Sequence, residues 1–220
     1  MRLARSDRLV LSAALLAAFA CGDKGGTTPP GPPSALVKSS GDAQSWYFNN
    51  PLPTPLSVTA VDADGRAVPG VVVTWSVASG GGGVNPTQST TGGNGVATTI
   101  DSVGSSSIQT VSATFNGLPS PVTFTAQATT PPTSAAVDIV NIAFSPARVV
   151  VQVNGTVTWT WGDDPTVHNV TYTAAPGPLP ASSTTKATGT FSTTFTQVGT
   201  YRYVCTVHAQ MNNGVVTVVH

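Results

Sequence analysis

Along most of the chain, hydrophobic and polar residues alternate with a period of two, and no apolar pattern of helical period extends over a useful length. The alternation is clearest in two neighbouring segments, where every second residue from 149 to 153 and from 157 to 161 is a valine or a tryptophan. Asn154-Gly155 lies between these segments and is typical of a tight hairpin turn. The pattern therefore predicts half-buried β-strands and an all-β fold.

Strand-like runs recur at short spacing and are separated by Asp-Gly, Asn-Gly and glycine-rich turns, which is typical of β-sandwiches. A segment rich in Pro, Ser and Thr, residues 173–189, is predicted to form one long surface loop. The predicted strands cover residues 56–61, 71–78, 95–100, 108–115 and 121–126, and then 137–142, 147–153, 156–161, 167–172, 190–195, 199–205 and 215–219.

Two breaks in composition divide the chain. Residues 21–35 consist largely of Gly, Thr and Pro, cannot bury a core, and are predicted to be a flexible tether. Residues 129–135 form a second Thr- and Pro-rich break, which we interpret as a linker. The two remaining segments, 36–128 and 136–220, are each long enough for a small β-domain.

The first twenty residues are predicted to be a signal peptide. Three arginines precede an apolar run, residues 9–20, which is too short to cross a bilayer comfortably as an anchor. The run ends in Ala18-Phe19-Ala20-Cys21, which resembles a bacterial lipoprotein signal and implies lipidation of Cys21. Plain secretion is the alternative. We therefore expect an exported, membrane-anchored lipoprotein that faces the periplasm or the cell surface.

Composition narrows the possible functions. The formal net charge is +0 and only 8% of residues are charged, so the chain has no basic stripe with which to neutralise nucleic acid. Glutamate is absent from the sequence, which leaves paired-carboxylate catalysis to a few aspartates. The oligomeric state is left open.

The first domain resembles the bacterial Ig-like domains of the intimin and invasin type. The matching residues are 62–65 (Asp-Ala-Asp-Gly), 68–71 (Val-Pro-Gly-Val) and 74–75 (Thr-Trp). The resemblance implies a spacer or adhesive module without catalysis. We expect Trp75 to be a core residue, and Asp62 and Asp64 to form a turn; a calcium site is the alternative for the two aspartates.

Cys205, His208 and Met211 lie within seven residues between two predicted strands, and His168 lies in an earlier run. One thiolate, two imidazoles and one thioether are the ligands of a blue-copper electron-transfer site. A zinc finger is excluded because it needs paired ligands that this chain lacks. A buried structural thiol at Cys205 and a core side chain at Met211 are the alternatives.

The second domain resembles the cupredoxins, the family of plastocyanin, amicyanin and pseudoazurin. The matching segments are 144–146 (Phe-Ser-Pro), the alternating run 149–159, 168–170 (His-Asn-Val) and 199–216, which contains Cys205-x-x-His208-x-x-Met211. The resemblance implies a Greek-key sandwich and one copper ion that cycles between Cu(I) and Cu(II). It makes His168, Cys205 and His208 the strong ligands and Met211 the weak axial ligand.

The same resemblance implies that Asn169 links the His168 strand to the backbone around Thr206. It fails at residues 161–165 (Trp-Gly-Asp-Asp-Pro), where many relatives have an Asn-x-Asp stretch, so the loop before His168 is expected to differ. Trp159 and Trp161 are expected in the core rather than as electron relays, and His220 is expected to be a solvated chain end.

The predicted function is single-electron transfer rather than catalysis. A multicopper oxidase or a copper nitrite reductase needs a second, histidine-rich centre, and the chain has only 3 histidines. Redox proteins are expected to dock near the exposed edge of His208. The surrounding apolar surface is predicted to comprise Pro176, Gly177, Pro178, Leu179, Pro180, Val207 and Ala209. Copper carriage or storage, and an adhesion or scaffold role, are the alternatives.

Overall fold

The computed structural model describes residues 29–220, which form 17 β-strands and contain no helix. The prediction of an all-β fold is confirmed. Within this described range there is consequently no apolar helix long enough to cross a membrane. The predicted signal peptide, residues 1–20, and the proposed lipidation site, Cys21, lie outside the described residues.

The first nine strands form two sheets, with strand order β1-β3-β7-β5 in one and β2-β9-β8-β4-β6 in the other. Side chains from both sheets meet in a single hydrophobic cluster, so the sheets pack face to face as a sandwich. The strands are β1 (Ala35–Ser40), β2 (Gln44–Tyr47), β3 (Leu56–Val61), β4 (Val72–Ser79), β5 (Gly82–Asn85), β6 (Gln88–Thr90), β7 (Val96–Val103), β8 (Ile108–Thr114) and β9 (Val122–Thr129).

Trp75 lies in the core of this first sandwich, 1% exposed, and its indole Nε1 donates to Ser89 Oγ at 2.9 Å. Asp62 closes the turn after β3, since its Oδ1 accepts the backbone N–H groups of Asp64 and Arg66 at 3.0 and 2.8 Å. Its other carboxylate oxygen accepts the N–H of Gly31 at 2.8 Å. Gly31 therefore already contacts the first sandwich, although it lies within residues 21–35, the segment predicted to be a flexible tether.

The last eight strands form a second sandwich from the sheets β11-β10-β13-β15 and β12-β17-β16-β14. Two of the strand pairs are parallel, β10 with β13 and β12 with β17. The strands are β10 (Ser134–Val140), β11 (Ala143–Ser145), β12 (Arg148–Gln152), β13 (Gly155–Trp161), β14 (Thr171–Ala174), β15 (Gly189–Phe195), β16 (Gly199–Val204) and β17 (Gly214–Val219).

An aromatic cluster fills the second core around Trp159, which is fully buried. The Trp159 ring meets those of Tyr203 and Tyr172 edge-on, with centroids 5.2 and 6.3 Å apart. The Tyr203 ring also packs against Phe144 at 4.8 Å. Edge-to-face aromatic packing adds to the free energy of burial and restricts ring rotation. The cluster thus provides a rigid support beneath the strand that leads to Cys205.

The predicted hairpin at Asn154-Gly155 is wrong. A turn does occur there, and Asn154 has a positive φ of 66°. However, β12 pairs with β17 in one sheet while β13 pairs with β10 and β15 in the other. The turn therefore carries the chain from one sheet to the other. As a result, the buried valines of β12 and the buried tryptophans of β13 contribute to the same core from opposite sheets, instead of lying in neighbouring strands of one sheet.

The two sandwiches are joined by reciprocal hydrogen bonds between Asn50 and His220. The His220 N–H donates to Asn50 Oδ1 at 2.9 Å, and Asn50 Nδ2 donates to the His220 carbonyl at 3.2 Å. His220 is exposed, as expected of a chain end, but its backbone is bound to the first sandwich. The Asn50 carbonyl accepts the Val103 N–H at 3.0 Å, and the Asn49 N–H donates to the Val103 carbonyl at 2.9 Å, at the end of β7.

Candidate metal centre

Three side chains at one end of the second sandwich converge on a common point. The Cys205 Sγ atom lies 3.9 Å from His168 Nδ1 and 3.9 Å from His208 Nδ1. One ligand atom from each of the three residues lies within 4.8 Å of the others. The two imidazole ring centroids are 4.7 Å apart. The structure therefore brings together the three residues predicted to be strong ligands.

The two sulfur–nitrogen distances suit a first-row metal ion. Ligands that surround an ion in a plane at about 2.0–2.3 Å are separated from each other by roughly 3.5–4.0 Å. Cys205 is 3% exposed and His168 is 0% exposed, so the donors lie in a largely dry pocket. A soft thiolate with two imidazoles suits copper better than magnesium or calcium, which prefer oxygen ligands. The residues present thus fit a copper ion.

Met211 is buried against this site, with 1% of its surface exposed. Its carbonyl accepts the Cys205 N–H at 2.9 Å, and its own N–H donates to the His208 carbonyl at 3.0 Å. These two hydrogen bonds fold residues 205–211 into a compact turn between β16 and β17. We call this segment the ligand loop. Its closure by backbone bonds places Cys205, His208 and Met211 in one short stretch held by two strands.

His168 lies outside the regular strands, so the strand predicted over 167–172 is wrong in its first half. Only Thr171 onward belongs to β14. The His168 N–H instead donates to the Lys186 carbonyl at 2.9 Å, and the Lys186 N–H donates back to the His168 carbonyl at 3.0 Å. Trp161 Nε1 also donates to the His168 carbonyl at 3.0 Å. The C-terminal part of the predicted loop 173–189 and the Trp161 indole therefore hold the His168 backbone in place. We call these three hydrogen bonds the clamp on His168.

Sequence reasoning missed the contributions of Trp161 and Lys186 to this clamp. Trp161 was expected only in the core, where it is indeed 5% exposed, but its indole also fixes the His168 carbonyl. The Lys186 ammonium lies 4.4 Å from the centroid of the Trp161 ring, in a cation–π contact. Lys186 is far from His168 in sequence, so no local spacing signal identifies the pair.

Asn169 connects the His168 segment to the ligand loop. Its Oδ1 accepts the Thr206 N–H at 2.9 Å, and its Nδ2 donates to Thr206 Oγ1 at 2.7 Å. A weaker bond runs from Nδ2 to Thr185 Oγ1 at 3.2 Å. Asn169 is 7% exposed but Thr206 is exposed, so these bonds are only partly shielded from water. Through them the residue after Cys205 is held to the residue after His168.

The electrostatics favour a neutral His168 imidazole. Burial, together with the neighbouring His208, lowers the pKa of His168, although the Asp163 carboxylate acts in the opposite direction. Asp163 Oδ2 lies 3.3 Å from His168 Nε2. The backbone N–H groups of Ile142 and Asn141 lower the pKa of Asp163. A neutral imidazole has the free electron pair that a metal ligand requires.

The apolar surface predicted around His208 is wrong for residues 176–180. Pro176 packs against Gly199, and Pro178 and Pro180 lie beside Gln197. These contacts are at the start of β16, whereas Cys205 follows its end, roughly 20 Å away along the strand. The chain leaves the site as β14, and the loop then returns alongside that strand to His168, which the sequence could not indicate.

The exposed apolar side chains that do flank the site are Val207 and Val167. Val207 is 44% exposed beside His208, and Val167 is 43% exposed beside His168. Ala209, the other loop neighbour of His208, is also exposed, while His208 itself is partly buried. We call Val167, Val207, His208 and Ala209 the histidine face. The three neighbours on this face are therefore uncharged, and they flank the one candidate ligand that reaches the protein exterior.

In the part of the chain that the structure describes, His168, Cys205 and His208 are the only group of three or more His, Cys or acidic residues that could hold a metal. The alternative calcium site at Asp62 and Asp64 does not form such a group. The Asp62 carboxylate is already engaged by backbone N–H groups, as expected of a turn former. Cys205 is a free thiol in the described residues.

Residues 132–219 match the family model for copper binding proteins of the plastocyanin/azurin family. Similar solved structures include a purple cupredoxin from Nitrosopumilus maritimus, with 27% identity and a TM-score of 0.34, over 38% of this chain and 98% of that chain. A proline-to-glycine mutant of amicyanin in its reduced Cu(I) form has 34% identity and a TM-score of 0.35, over 39% of this chain and 81% of that chain.

The D00-D0 domain of intimin is also similar, with 18% identity and a TM-score of 0.36, over 48% of this chain and 51% of that chain. No curated protein matches the chain.

Proposed function

Because the chain belongs, through residues 132–219, to the plastocyanin/azurin family of copper-binding proteins, we propose that it is an exported carrier of single electrons and not an enzyme. The observation that carries this proposal is the convergence of the Cys205 sulfur with two imidazole nitrogens at 3.9 Å in a buried pocket. His168, Cys205 and His208 would hold one copper ion, with Met211 as the weak fourth ligand.

Bound copper would supply a one-electron couple, Cu(I)/Cu(II): a donor protein is oxidised by one electron, an acceptor is reduced by one, and no covalent bond is made or broken. The protein's part is to keep the ligands still. The backbone bonds of the ligand loop, the Asn169–Thr206 pair and the clamp on His168 hold the donors in place from three sides. A site that barely moves loses little energy to rearrangement when its charge changes.

The histidine face is the proposed docking surface for redox partners. His208 is the ligand that reaches solvent there, and the exposed neighbours Val207 and Val167 carry no charge. Small, weakly bound interfaces suit brief electron-transfer encounters, because the partners must separate quickly. An apolar rim allows partners to dock without a fixed charge pattern.

The copper site is tested by loading the full chain with Cu(II) and recording its visible spectrum. We expect an intense thiolate-to-copper charge-transfer band that Cys205→Ser abolishes. Cys21→Ser is the matched control, since it makes the same change at the only other cysteine and should leave the band intact. Colourless wild-type protein, or a band that survives Cys205→Ser, would overturn the proposal.

Electron transfer is distinguished from copper carriage by the rate of electron self-exchange between Cu(I) and Cu(II) copies, measured by NMR line broadening. Fast exchange is expected, and Val207→Lys should slow it about tenfold at low ionic strength, because two positive charges then meet at each encounter. Leu179→Lys is the matched control, since Leu179 is 54% exposed but belongs to the loop stretch that packs near β16's start. Slow exchange with ready copper release to a chelator would instead support carriage.

We further propose that Cys21 carries the lipid that anchors the chain to a membrane, with the copper domain facing the periplasm or the cell surface. The support is the apolar run followed by Ala18-Phe19-Ala20-Cys21. More than one acyl chain gives stable membrane attachment. Expression in a bacterial host with labelled palmitate should label the wild-type protein but not Cys21→Ser. Equal labelling of both would refute the anchor.

A further inference from the structure

The turn that follows β13 places Asp163 beside the metal centre. Its carboxylate accepts the N–H groups of Asn141 and Ile142, at 2.7 and 2.9 Å, and so binds the turn between β10 and β11. The side chain is 16% exposed. This is the stretch in which the sequence departs from the cupredoxin pattern, so the resemblance assigns Asp163 no role.

The same carboxylate faces the His168 nitrogen that points away from Cys205. Asp163 Oδ2 is 3.3 Å from His168 Nε2, while His168 Nδ1 is 3.9 Å from Cys205 Sγ. The contact has the distance of an ion pair but not the alignment of a hydrogen bond, and Nε2 has no hydrogen-bond partner among the described residues. No other carboxylate in that range lies within 4.0 Å of either ring nitrogen.

A neutral imidazole carries its single proton on one nitrogen and a free electron pair on the other. To bind a metal through Nδ1, His168 must keep the proton on Nε2. A carboxylate next to Nε2 favours that arrangement, because the positive end of the N–H dipole then lies close to a negative charge. Carboxylates that face metal-bound histidines in this way also make the ligating nitrogen a stronger donor.

We propose that Asp163 is a positioning residue for the copper site: its carboxylate keeps the His168 proton on Nε2, orients the ring towards Cys205, and favours Cu(II) over Cu(I). The inference rests on the proposed copper site and adds a determinant of its potential. Cu(II) carries one more positive charge than Cu(I), so a partly buried anion next to a ligand stabilises the oxidised state more.

An exposed charge has a much weaker effect, because water and salt screen it. Asp164, the next residue, is exposed. It therefore provides a matched control: Asp163→Asn and Asp164→Asn remove the same charge one residue apart, and only Asp163 contacts His168.

The test is a redox titration of both copper-loaded variants and of the wild-type protein. Asp163→Asn should shift the Cu(I)/Cu(II) equilibrium about tenfold towards Cu(I), which is about 59 mV for one electron, in line with the effect of losing such a partner. Asp164→Asn should shift it much less. Equal shifts in the two variants, or no shift in Asp163→Asn, would overturn the inference.

A second measurement uses the wild-type protein, in case Asp163→Asn does not fold. In the diamagnetic Cu(I) form, long-range proton–nitrogen NMR should show His168 protonated on Nε2, with a downfield proton that exchanges slowly with solvent. A rapidly exchanging or absent Nε2 proton would overturn the inference even if the visible band is present. Wild-type protein that shows no such band would overturn the copper site and the inference together.

Discussion

Asn169→Ala is the most informative change to the frame around the site. Asn169 contributes two short hydrogen bonds to Thr206, one to the backbone N–H and one to the hydroxyl, at 2.9 and 2.7 Å. A net contribution of about 1 kcal/mol per bond predicts that the apo-protein loses about 2 kcal/mol of unfolding free energy. Thr206 is exposed, so water replaces part of what is lost and a larger effect is not expected.

The loss of copper binding free energy should be comparable with the loss of unfolding free energy. Without Asn169 the ligand loop is free to move relative to His168, so copper affinity should fall by about 10–100-fold. Urea unfolding of the apo-protein gives the first quantity, and competition with a chelator of known affinity gives the second.

Tyr201→Phe is the control for a general loss of stability. It removes one hydrogen bond, from Tyr201 Oη to the Gln197 carbonyl at 2.9 Å, near the opposite end of β16. This variant should lose stability but retain copper affinity. If Asn169→Ala weakens copper binding no more than Tyr201→Phe does, the link to Thr206 does not hold the loop and the reasoning fails.

Burial raises the pKa of Asp101 from 3.8 to about 6. Between these two pH values the folded protein retains a proton that the unfolded chain releases, so the unfolding free energy falls as the pH rises from 3.8 to about 6. Asp101→Asn should therefore raise the unfolding free energy by about 2–3 kcal/mol at neutral pH but not below pH 3.8. Urea titrations at several pH values measure the difference, and an equal gain at neutral and at acidic pH would refute the role of Asp101. A Cβ added at Gly214 would clash with the buried Tyr203 ring, so Gly214→Ala should lower the unfolding free energy by about 1–3 kcal/mol in the same assay, and an unchanged midpoint would contradict the packing.

The alternation of apolar and polar residues predicted the central strands of both sandwiches but missed the edge strands of the first sandwich, β1, β2, β5 and β6. The runs 56–61 and 156–161 coincide closely with β3 and β13. By contrast, β5 contains two glycines, and most residues of β1 are exposed, so neither carries a strong period-two pattern. Short edge strands are held by backbone pairing with a neighbour, which leaves little trace in their own side chains.

Pairing between distant segments also explains the wrong hairpin. Local turn chemistry at Asn154-Gly155 identified a reversal of the chain, and a reversal is present. It did not determine which strands pair, because β12 finds its partner in β17, more than sixty residues later. Choice of sheet depends on the whole core rather than on the two residues of a turn.

The proximity of Cys205 and His208 is the part of the site that sequence spacing predicts well. Both residues lie in one short loop, so their proximity follows from the chain itself. Asp163 and Lys186 were missed because each reaches His168 through a fold contact whose partner a linear motif does not contain. The resemblance to the cupredoxins supplied His168, and the match of residues 132–219 to the copper-binding family confirms that resemblance.

The hydrogen bonds between Asn50 and His220 join the two sandwiches at the end of β17 that is remote from the ligand loop. The chain enters the first sandwich where the Ser34 N–H meets the Val61 carbonyl, at the end remote from Asn50. The 8 residues of β7 span about 26 Å from that end, and the 6 residues of β17 span about 20 Å from His220 to the ligand loop. The two sandwiches thus meet at Asn50 and His220, and the ligand loop lies at the end of the second sandwich away from this contact, where the proposed redox partner would reach it.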